Sequence, residues 1–149
     1  MDVELMADII ELQQVLARYA VGMTRDDIET VISAFTPDGT YSAFGDTYDL
    51  TDFPSLVQAA PKGLFMVGPP ELHLDRAKGT GTGVQPLCFT DQTNHHMRIG
   101  YYTDTYRRTD GGWRLQTRSM TFLRKSGGRD SGRPHDPTRP EPTRKQLDD

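Results

Sequence analysis

The sequence predicts an α+β domain in which three N-terminal helices pack inside a curved antiparallel sheet. Three observations lead to this prediction: an apolar stripe with helical spacing near the N-terminus, two shorter helical segments after it, and a series of strand-like segments joined by turns. At 149 residues, the chain has the length of one domain. A sheet that wraps around a helix leaves an open end, where an apolar cavity with a few polar groups can form a small-molecule site.

The first helix is predicted by apolar positions separated by alternating steps of four and three residues, which places them on one helical face. They are Leu5, Ile9, Leu12, Leu16, Tyr19 and Met23. Thr24 is expected to cap a second short helix, with Asp27 completing a capping-box-like pair. A third short helix is expected from Asp52 to residue 60, because Pro61 and Gly63 follow and would stop it.

Strands are expected at 40–44, 47–50, 71–74, 79–89, 97–108 and 113–124. The segment 36–39, Thr-Pro-Asp-Gly, indicates a turn before the first strand, and the Thr-Asp-Gly-Gly break at 109–112 is the strongest hairpin signal in the sequence. The glycine-rich segment AKGTGTGVQ predicts a bent strand, although a bulge or close approach by another backbone or a ligand would also require glycine.

Composition limits the organisation and the partners of the chain. The domain is expected to span residues 1–125, because 126–149 contain four prolines, three glycines and almost no apolar residue, as in a flexible tail or an arm packed on a partner subunit. A net charge of −4 argues against nucleic acid and membrane surfaces as partners. The single cysteine, Cys88, excludes an internal disulfide, and no secretory signal or membrane-spanning run is present, so a cytoplasmic location is expected.

The strand at 97–108 contains the residues most suited to chemistry. Alternation places Tyr102, Asp104 and Tyr106 on one face, and if that face is buried, desolvation would keep Asp104 protonated. Tyr19 projects from the first helix towards the same space. A phenol and a neutral carboxylic acid both donate hydrogen bonds, so together they could hold a carbonyl oxygen and stabilise an enolate. Alternatively, Asp104 pairs with a neighbouring arginine on an exposed face and Tyr19 completes the core.

The remaining candidates are histidines and arginines. His95 and His96 are adjacent, so they face opposite sides of an extended chain, and no third ligand has a suitable spacing. No metal site is therefore expected; a polar loop at the cavity mouth, in which one histidine acts as a base, is favoured. Arg114 and Arg118 alternate with Leu115, Thr117 and Ser119, which predicts a solvated or subunit-facing position for both arginines.

Two segments resemble the SnoaL-like branch of the NTF2-like superfamily, which includes scytalone dehydratase, bile-acid 7α-dehydratases and a lindane dehydrochlorinase, with ketosteroid isomerases as more distant relatives. They are LARYAVGMTRDDIETVISAFTPDGTY at 16–41 and GYYTDTYRRTDGGWRLQTR at 100–118. The resemblance implies a cone-shaped α+β fold, a deep hydrophobic cavity, no cofactor and a homodimer formed through the sheet. It also implies that Tyr19 contacts the substrate and that Asp104 occupies the position of the protonated aspartate of the isomerases.

The sequence departs from this family at each position where a base is usual. The aspartate of the dehydratases is replaced by Thr24, their histidine falls near Gly68, and the base of the isomerases falls at Ala43. The catalytic candidates are therefore Tyr19 and Asp104 with a displaced base, His95, His96 or Asp26. Residues expected to contact the substrate are Thr24, Tyr102, Tyr106, Phe44 and Phe65.

Three functions follow from this pattern. The first is a cofactor-independent lyase or isomerase, dehydratase-like or ketosteroid isomerase-like, that acts on a hydrophobic, carbonyl-bearing polycyclic or polyketide-like substrate. Loss of the base would instead leave a non-catalytic ligand-binding protein or an accessory dimeric subunit, because a general base typically contributes about 10² to 10⁴ in rate. In the third function, the C-terminal tail at 126–149 is a peptide arm that binds a partner.

Overall fold

The computed structural model describes residues 2–123 and the backbone of 129–130. The long helix α1 spans Val3–Thr24, and its first turn is capped by Asp2, whose side chain accepts hydrogen bonds from the amides of Glu4 and Leu5. The predicted apolar stripe faces the core through Leu12, Leu16 and Tyr19, which are almost completely buried, while Leu5, Ile9 and Met23 are half-buried at the two ends. The first predicted helix is therefore confirmed.

The second helix, α2, spans Ile28–Ser33, but its predicted cap was wrong. The α1 helix continues past Gly22, and the amide of Asp27 donates back to the carbonyl of Gly22 across Asp26, which has a left-handed φ of 56°. This ending keeps Thr24 within α1. Asp27 caps α2 instead, and its side chain accepts a hydrogen bond from the amide of Thr30.

The first strand begins earlier than predicted. Strand β1 spans Phe35–Ala43 and contains the segment expected to be a turn, because a register shift between Phe35 and Thr40 absorbs the extra residues within the strand. The hairpin that follows is formed with β2, Asp46–Asp49, and the third predicted helix is confirmed as α3, Phe53–Ala59.

The later strands largely agree with the prediction. The structure contains β3 (Gly63–Val67), β4 (Glu71–Asp75), β5 (Thr80–Asp91), β6 (Met97–Thr109), β7 (Gly112–Leu123) and the short β8 (Arg129–Asp130). Only β3 and β8 were not predicted, and β8 is the only described part of the predicted tail. The remainder of 126–149 lies outside the described residues.

These strands form one curved sheet whose order is β2-β1-β7-β6-β5-β3, with β4 also paired to β5 and β8 to β7. The sheet is mixed, because β1 and β7 run parallel, which corrects the prediction of a wholly antiparallel sheet. The α+β fold itself is confirmed: α1 packs against the inner face, where Trp113, Leu115 and Met120 are fully buried. Among the helices that the structure describes, none is long and apolar enough to cross a membrane.

The glycine-rich segment is explained by close packing on the inner face of β5. A Cβ atom at Gly83 would lie 2.5 Å from the Tyr106 hydroxyl and 2.8 Å from the Glu71 carbonyl oxygen, both of which are too close. A Cβ atom at Gly81 would lie 2.5 Å from a methyl group of Leu74. Glycine is therefore needed here because the Tyr106 side chain lies over the backbone and the paired strand β4 leaves no room for a Cβ atom.

Candidate functional site

An apolar cavity of about 220 Å³ lies between α3, β3 and the inner face of the sheet. It is lined by Met23, Tyr41, Phe44, Phe53, Leu56, Val57, Ala59, Ala60, Pro61, Phe65, Leu87, Phe89, Arg98, Tyr102, Met120 and Phe122. Its polar groups come from Tyr41, Tyr102 and Arg98. Among the described residues, no histidine and no carboxylate lines the cavity.

Three tyrosines meet on the inner side of this cavity. Tyr41 and Tyr102 line it, whereas Tyr19 lies beside them in the core, with its ring edge-on to Tyr102 at a centroid distance of 5.8 Å. Tyr19 is only 1% exposed, and its hydroxyl has no hydrogen-bond partner of normal geometry among the described residues. The phenols of Tyr41 and Tyr102 are the neighbouring polar groups that interact with it.

Burial controls the ionisation of these phenols. It raises the pKa of Tyr102 to about 12, even though the Arg118 charge lowers it. Burial also raises the pKa of Tyr19 and of Tyr41 well above the usual value, and the proximity of Tyr102 raises both further. All three phenols therefore remain neutral near pH 7, where each keeps a hydroxyl proton that it can donate.

Asp104 is buried on the same inner face, which is one of the two alternatives that the sequence left open, but its hydrogen bonds differ from those expected of a donor. Arg118 donates to both carboxylate oxygens, at 2.9 Å from Nε and 2.8 Å from Nη2, and the Tyr106 hydroxyl donates to Oδ2 at 3.0 Å. Both oxygens therefore act as acceptors, and the pair is fully desolvated, with the two side chains each 0% exposed. The expected pairing of Asp104 with an arginine exists, but on the buried face.

Arg118 corrects the prediction that the arginines of β7 face solvent. Thr105 pairs with Thr117 and Tyr106 pairs with Leu115, so Gln116 is an extra residue in a bulge. Beyond the bulge, the inward and outward positions of β7 are exchanged. Without it, Arg118 would lie on the same outer face as Gln116; with it, Arg118 points inward and is buried. The strict period of two therefore fails at this one position.

The guanidinium of Arg118 lies between two of the tyrosines. Its Cζ atom is 3.7 Å from the ring centroid of Tyr102 and 4.5 Å from that of Tyr19, and Nη2 also donates to Gln85 Oε1 at 2.9 Å. Burial alone would lower the pKa of Arg118, but the Asp104 carboxylate raises it above the usual value. Arg118 is therefore a permanent cation, and its Nη1 group has no partner among the described residues.

The other predicted site residues are dispersed. His95 and His96 lie in the exposed turn between β5 and β6, and neither lines the cavity. Thr24 ends α1, where its hydroxyl accepts a hydrogen bond from the Phe65 amide at 3.0 Å and so ties the helix to the edge strand β3. Asp26 is ion-paired with Lys62 at 2.8 Å. The structure thus brings none of the expected bases to Tyr19 and Asp104.

Among the expected substrate contacts, Phe44, Phe65 and Tyr102 line the cavity, whereas Tyr106 lies behind it and binds Asp104. Sequence reasoning missed Tyr41. Its position two residues before Ala43, within a predicted strand, gives a detectable signal for the same face. Arg118 gave no such signal, because the bulge is not evident in the sequence. Chemically, this arrangement offers two neutral phenol donors and the Arg98 cation in an apolar space, without a histidine or a carboxylate among the described lining residues.

Comparisons with known proteins identify the family and the fold. The SnoaL-like domain family matches residues 4–119. An NTF2-like protein with a cystatin-like fold from Novosphingobium aromaticivorans has 20% identity and a TM-score of 0.73, covering 84% of this chain and 89% of its own. A protein of unknown function from Mycobacterium tuberculosis, Rv3472 with the D26N substitution, has 23% identity and a TM-score of 0.72, covering 81% of this chain and 75% of its own.

A third solved structure has an assigned activity. It is a type 2 hexachlorocyclohexane dehydrochlorinase, with 14% identity and a TM-score of 0.71, covering 93% of this chain and 99% of its own. At such identities these structures show a shared fold. No curated protein sequence matches the chain significantly.

Proposed function

The chain belongs to the SnoaL-like domain family, and from this premise we propose that it binds a hydrophobic small molecule carrying a carbonyl-type oxygen. The single observation that carries the proposal is an apolar cavity whose polar lining includes the phenols of Tyr41 and Tyr102. Sites for small molecules are typically apolar, with a few polar groups that fix orientation. The ligand would place its rings among the phenylalanine and leucine side chains and its oxygen beside the phenols.

The size of the cavity favours a compact ligand. Small-molecule sites are typically about 300–1,000 Å³, and this one measures about 220 Å³. A ligand of one or two rings is therefore preferred over a larger polycyclic molecule. Burial of each CH₂ group would contribute about 0.8 kcal/mol.

The ligand oxygen is expected to be neutral. Burial raises the pKa of Tyr102 to about 12 and raises that of Tyr41 further, which means that this environment disfavours a negative charge on a phenol. The same loss of hydration would disfavour a carboxylate placed beside these phenols, and Arg98, the cation that lines the cavity, is already engaged in another interaction. A ketone or aldehyde accepts a hydrogen bond without carrying this penalty.

A second candidate function is a cofactor-independent lyase or isomerase, related to dehydratases and ketosteroid isomerases in its reaction. It is supported by the fold shared with a dehydrochlorinase, whose reaction is an elimination, and by the phenol donors, which could polarise a carbonyl group. A general base is also needed for this chemistry. Because no histidine or carboxylate lines the cavity among the described residues, binding ranks first and catalysis second.

The experiment compares two ligands of nearly identical shape, 2-acetylnaphthalene and 2-ethylnaphthalene, by titration calorimetry. The wild-type protein should bind the ketone about fivefold more tightly, since one net hydrogen bond contributes about 1 kcal/mol. Tyr102→Phe should remove most of this preference without affecting the binding of the hydrocarbon. Tyr101→Phe, on the opposite face of β6, is the matched control and should preserve it. Absence of binding of either ligand to the wild-type protein would refute the proposal.

Catalysis is tested with the same ketone in D₂O. A lyase or isomerase that acts through an enolate should exchange the methyl hydrogens next to the carbonyl for deuterium faster than buffer does, as followed by NMR. If the ketone binds but exchange proceeds at the buffer rate, the protein binds this ligand without activating it. If the wild-type protein accelerates deuterium exchange and Tyr102→Phe does not, catalysis would rank first and binding alone second.

A further inference from the structure

We infer that Arg118 is a positioning residue of this site: its guanidinium holds Tyr102 and Tyr19 in place and thereby determines the preference for a carbonyl ligand over a hydrocarbon. This inference rests on the proposed function. It assigns a role to a buried arginine that neither lines the cavity nor would contact the ligand.

The geometry around Arg118 fixes the guanidinium plane. Two hydrogen bonds to Asp104 and one to Gln85, all between 2.8 and 2.9 Å, come from Nε and Nη2. Gln85 is held in turn, because its amide donates to the carbonyl of Gly68 at 3.1 Å. A planar cation anchored at three points has little freedom to rotate, so the rings that pack on it are held as well.

Both rings lie against this fixed plane. Tyr102 is the closer of the two, with its ring centroid 3.7 Å from Cζ, and Tyr19 lies 4.5 Å away. The rings also contact each other edge-to-face, at 5.8 Å and an interplanar angle of 81°. Tyr102 therefore reaches the cavity from a position that depends on contacts with Arg118 and Tyr19.

Stability alone is a poor explanation for this arrangement. A buried ion pair can often be replaced by apolar side chains of similar volume without loss of stability, because desolvation of the charges offsets their attraction. The pair here also leaves Arg118 Nη1 buried and without a partner among the residues that the structure describes, which adds a further cost. A costly polar group directly behind a cavity-lining phenol is better explained by a role in the site.

Electrostatics acts in the same direction as the geometry. The positive charge of Arg118 partly opposes the effect of burial on the Tyr102 pKa, so the phenol is a stronger hydrogen-bond donor than burial alone would leave it. Asp104 acts oppositely but more weakly. Removal of the whole ion pair should therefore weaken the donor as well as release its ring.

The test uses the double variant Arg118→Met with Asp104→Leu, which removes both charges and retains volume. The matched control is Arg107→Met with Asp38→Leu, a bidentate arginine–aspartate pair at the surface. Each protein is titrated with 2-acetylnaphthalene and 2-ethylnaphthalene, and thermal unfolding verifies the fold. Tyrosine labelled with ¹³C at Cζ reports the environment of the Tyr102 ring by NMR at pH 7, with its signal identified by its loss in Tyr102→Phe.

The double variant should remain folded and bind the hydrocarbon like the wild type, while the roughly fivefold ketone preference falls towards one. Its Tyr102 ¹³C signal should shift at pH 7, because the ring no longer packs on the guanidinium, and the surface control should behave like the wild type. If the double variant does not fold, Arg118→Lys is used, which keeps the charge beside Asp104 but lacks the planar group. It should also lose ketone preference.

Two negative outcomes are distinguishable. If the wild type prefers the ketone and the folded variants retain that preference, the proposed function stands and the positioning role is wrong. If the wild type binds neither ligand, the proposed function itself is wrong, and the role assigned to Arg118 falls with it.

Discussion

At the scale of single residues, the environment of a side chain decides its chemistry more than its identity does. Arg118 and Arg107 each form a pair of hydrogen bonds to one aspartate, yet the Arg118–Asp104 pair is 0% exposed and the Arg107–Asp38 pair is 36% and 64% exposed. Near solvent, the Arg107 hydrogen bonds lower the pKa of Asp38 to about 2. In the core, the corresponding pair carries a large desolvation cost and shapes the site around it.

The first prediction follows from this contrast. Arg118→Met alone should destabilise the protein by about 3–5 kcal/mol, because Asp104 would be left as a buried charge without a cation. Adding Asp104→Leu should recover most of that loss. The measurement is urea unfolding at pH 7, with Arg107→Met as the exposed control, which should change stability little. Equal losses in the two single variants would contradict the assignment of burial as the cause.

A second prediction concerns Gly83. A methyl group there would lie 2.5 Å from the Tyr106 hydroxyl and 2.8 Å from a backbone oxygen of β4, so Gly83→Ala should cost about 1–3 kcal/mol through forced displacement. Gly111→Ala is the matched control, since its nearest side-chain atoms would lie at 3.6 and 3.8 Å. Differential scanning calorimetry of both variants should show a lower Tm for Gly83→Ala only. A normal Tm would mean that Tyr106 moves aside freely.

At the scale of secondary structure elements, the periodicity of apolar residues predicted the regular helix α1 but not the bulge in strand β7. The spacing of Leu12, Leu16 and Tyr19 identified α1 and its buried face, because a helix tolerates no insertion without losing that stripe. A strand, in contrast, accommodates one inserted residue as a β-bulge. The bulge at Gln116 shifts the alternation of β7, which is why Arg118 was assigned to solvent and the cation of the site was missed.

Long-range contacts also account for the differences between the predicted and observed β1 and α2. The segment 36–39 has the composition of a turn, and it forms an irregularity within β1: Phe35 and Thr40 on either side pair with β7, so long-range pairing of the flanking residues extends the strand across it. Thr24 has the chemistry of a cap, but its hydroxyl pairs with Phe65 of the distant strand β3. Local sequence preferences describe only interactions between neighbouring residues, whereas the conformations of 36–39 and Thr24 depend on contacts with residues far along the chain.

The third prediction concerns the attachment of α1 to the turn between β4 and β5. Asp8 accepts a hydrogen bond from Arg76 Nε at 2.6 Å, and Arg76 also binds Glu4. Burial alone would raise the pKa of Asp8, but the hydrogen bond and charge of Arg76 lower it below the model-peptide value of 3.8. Because the folded-state pKa is the lower one, this carboxylate contributes stability above about pH 4, and the contribution is lost as pH falls through the folded-state pKa.

A double-mutant cycle of Asp8→Asn and Arg76→Gln, measured by thermal unfolding between pH 7 and pH 2.5, tests this linkage. The coupling between the two residues should be constant near neutral pH and shrink towards zero at the acid end. A coupling that increases on acidification would have the wrong sign for a lowered pKa and would contradict the assignment.

At the scale of the whole molecule, the two faces of the sheet have different surfaces. The inner face carries the cavity and the buried polar cluster. On the outer face, Met66, Cys88 and Ile99 are cross-strand neighbours on β3, β5 and β6, and Met66 and Ile99 are 61% and 49% exposed. Leu64 and Met97 extend the same surface at 42% and 69% exposure. Contiguous exposed apolar side chains of this kind are typical of protein interfaces.

The fourth prediction is that this outer face forms the homodimer expected from the family resemblance. A twofold interface is self-complementary, so a charge introduced near its centre meets the same charge from the partner and opposes association twice. Met66→Lys combined with Ile99→Lys should therefore convert a dimer into a folded monomer, as measured by sedimentation velocity. Val21→Lys is the matched control, because Val21 is also 52% exposed but lies on the outer side of α1. A wild-type protein that sediments as a monomer, or a dimer disrupted only by Val21→Lys, would exclude the sheet as the interface.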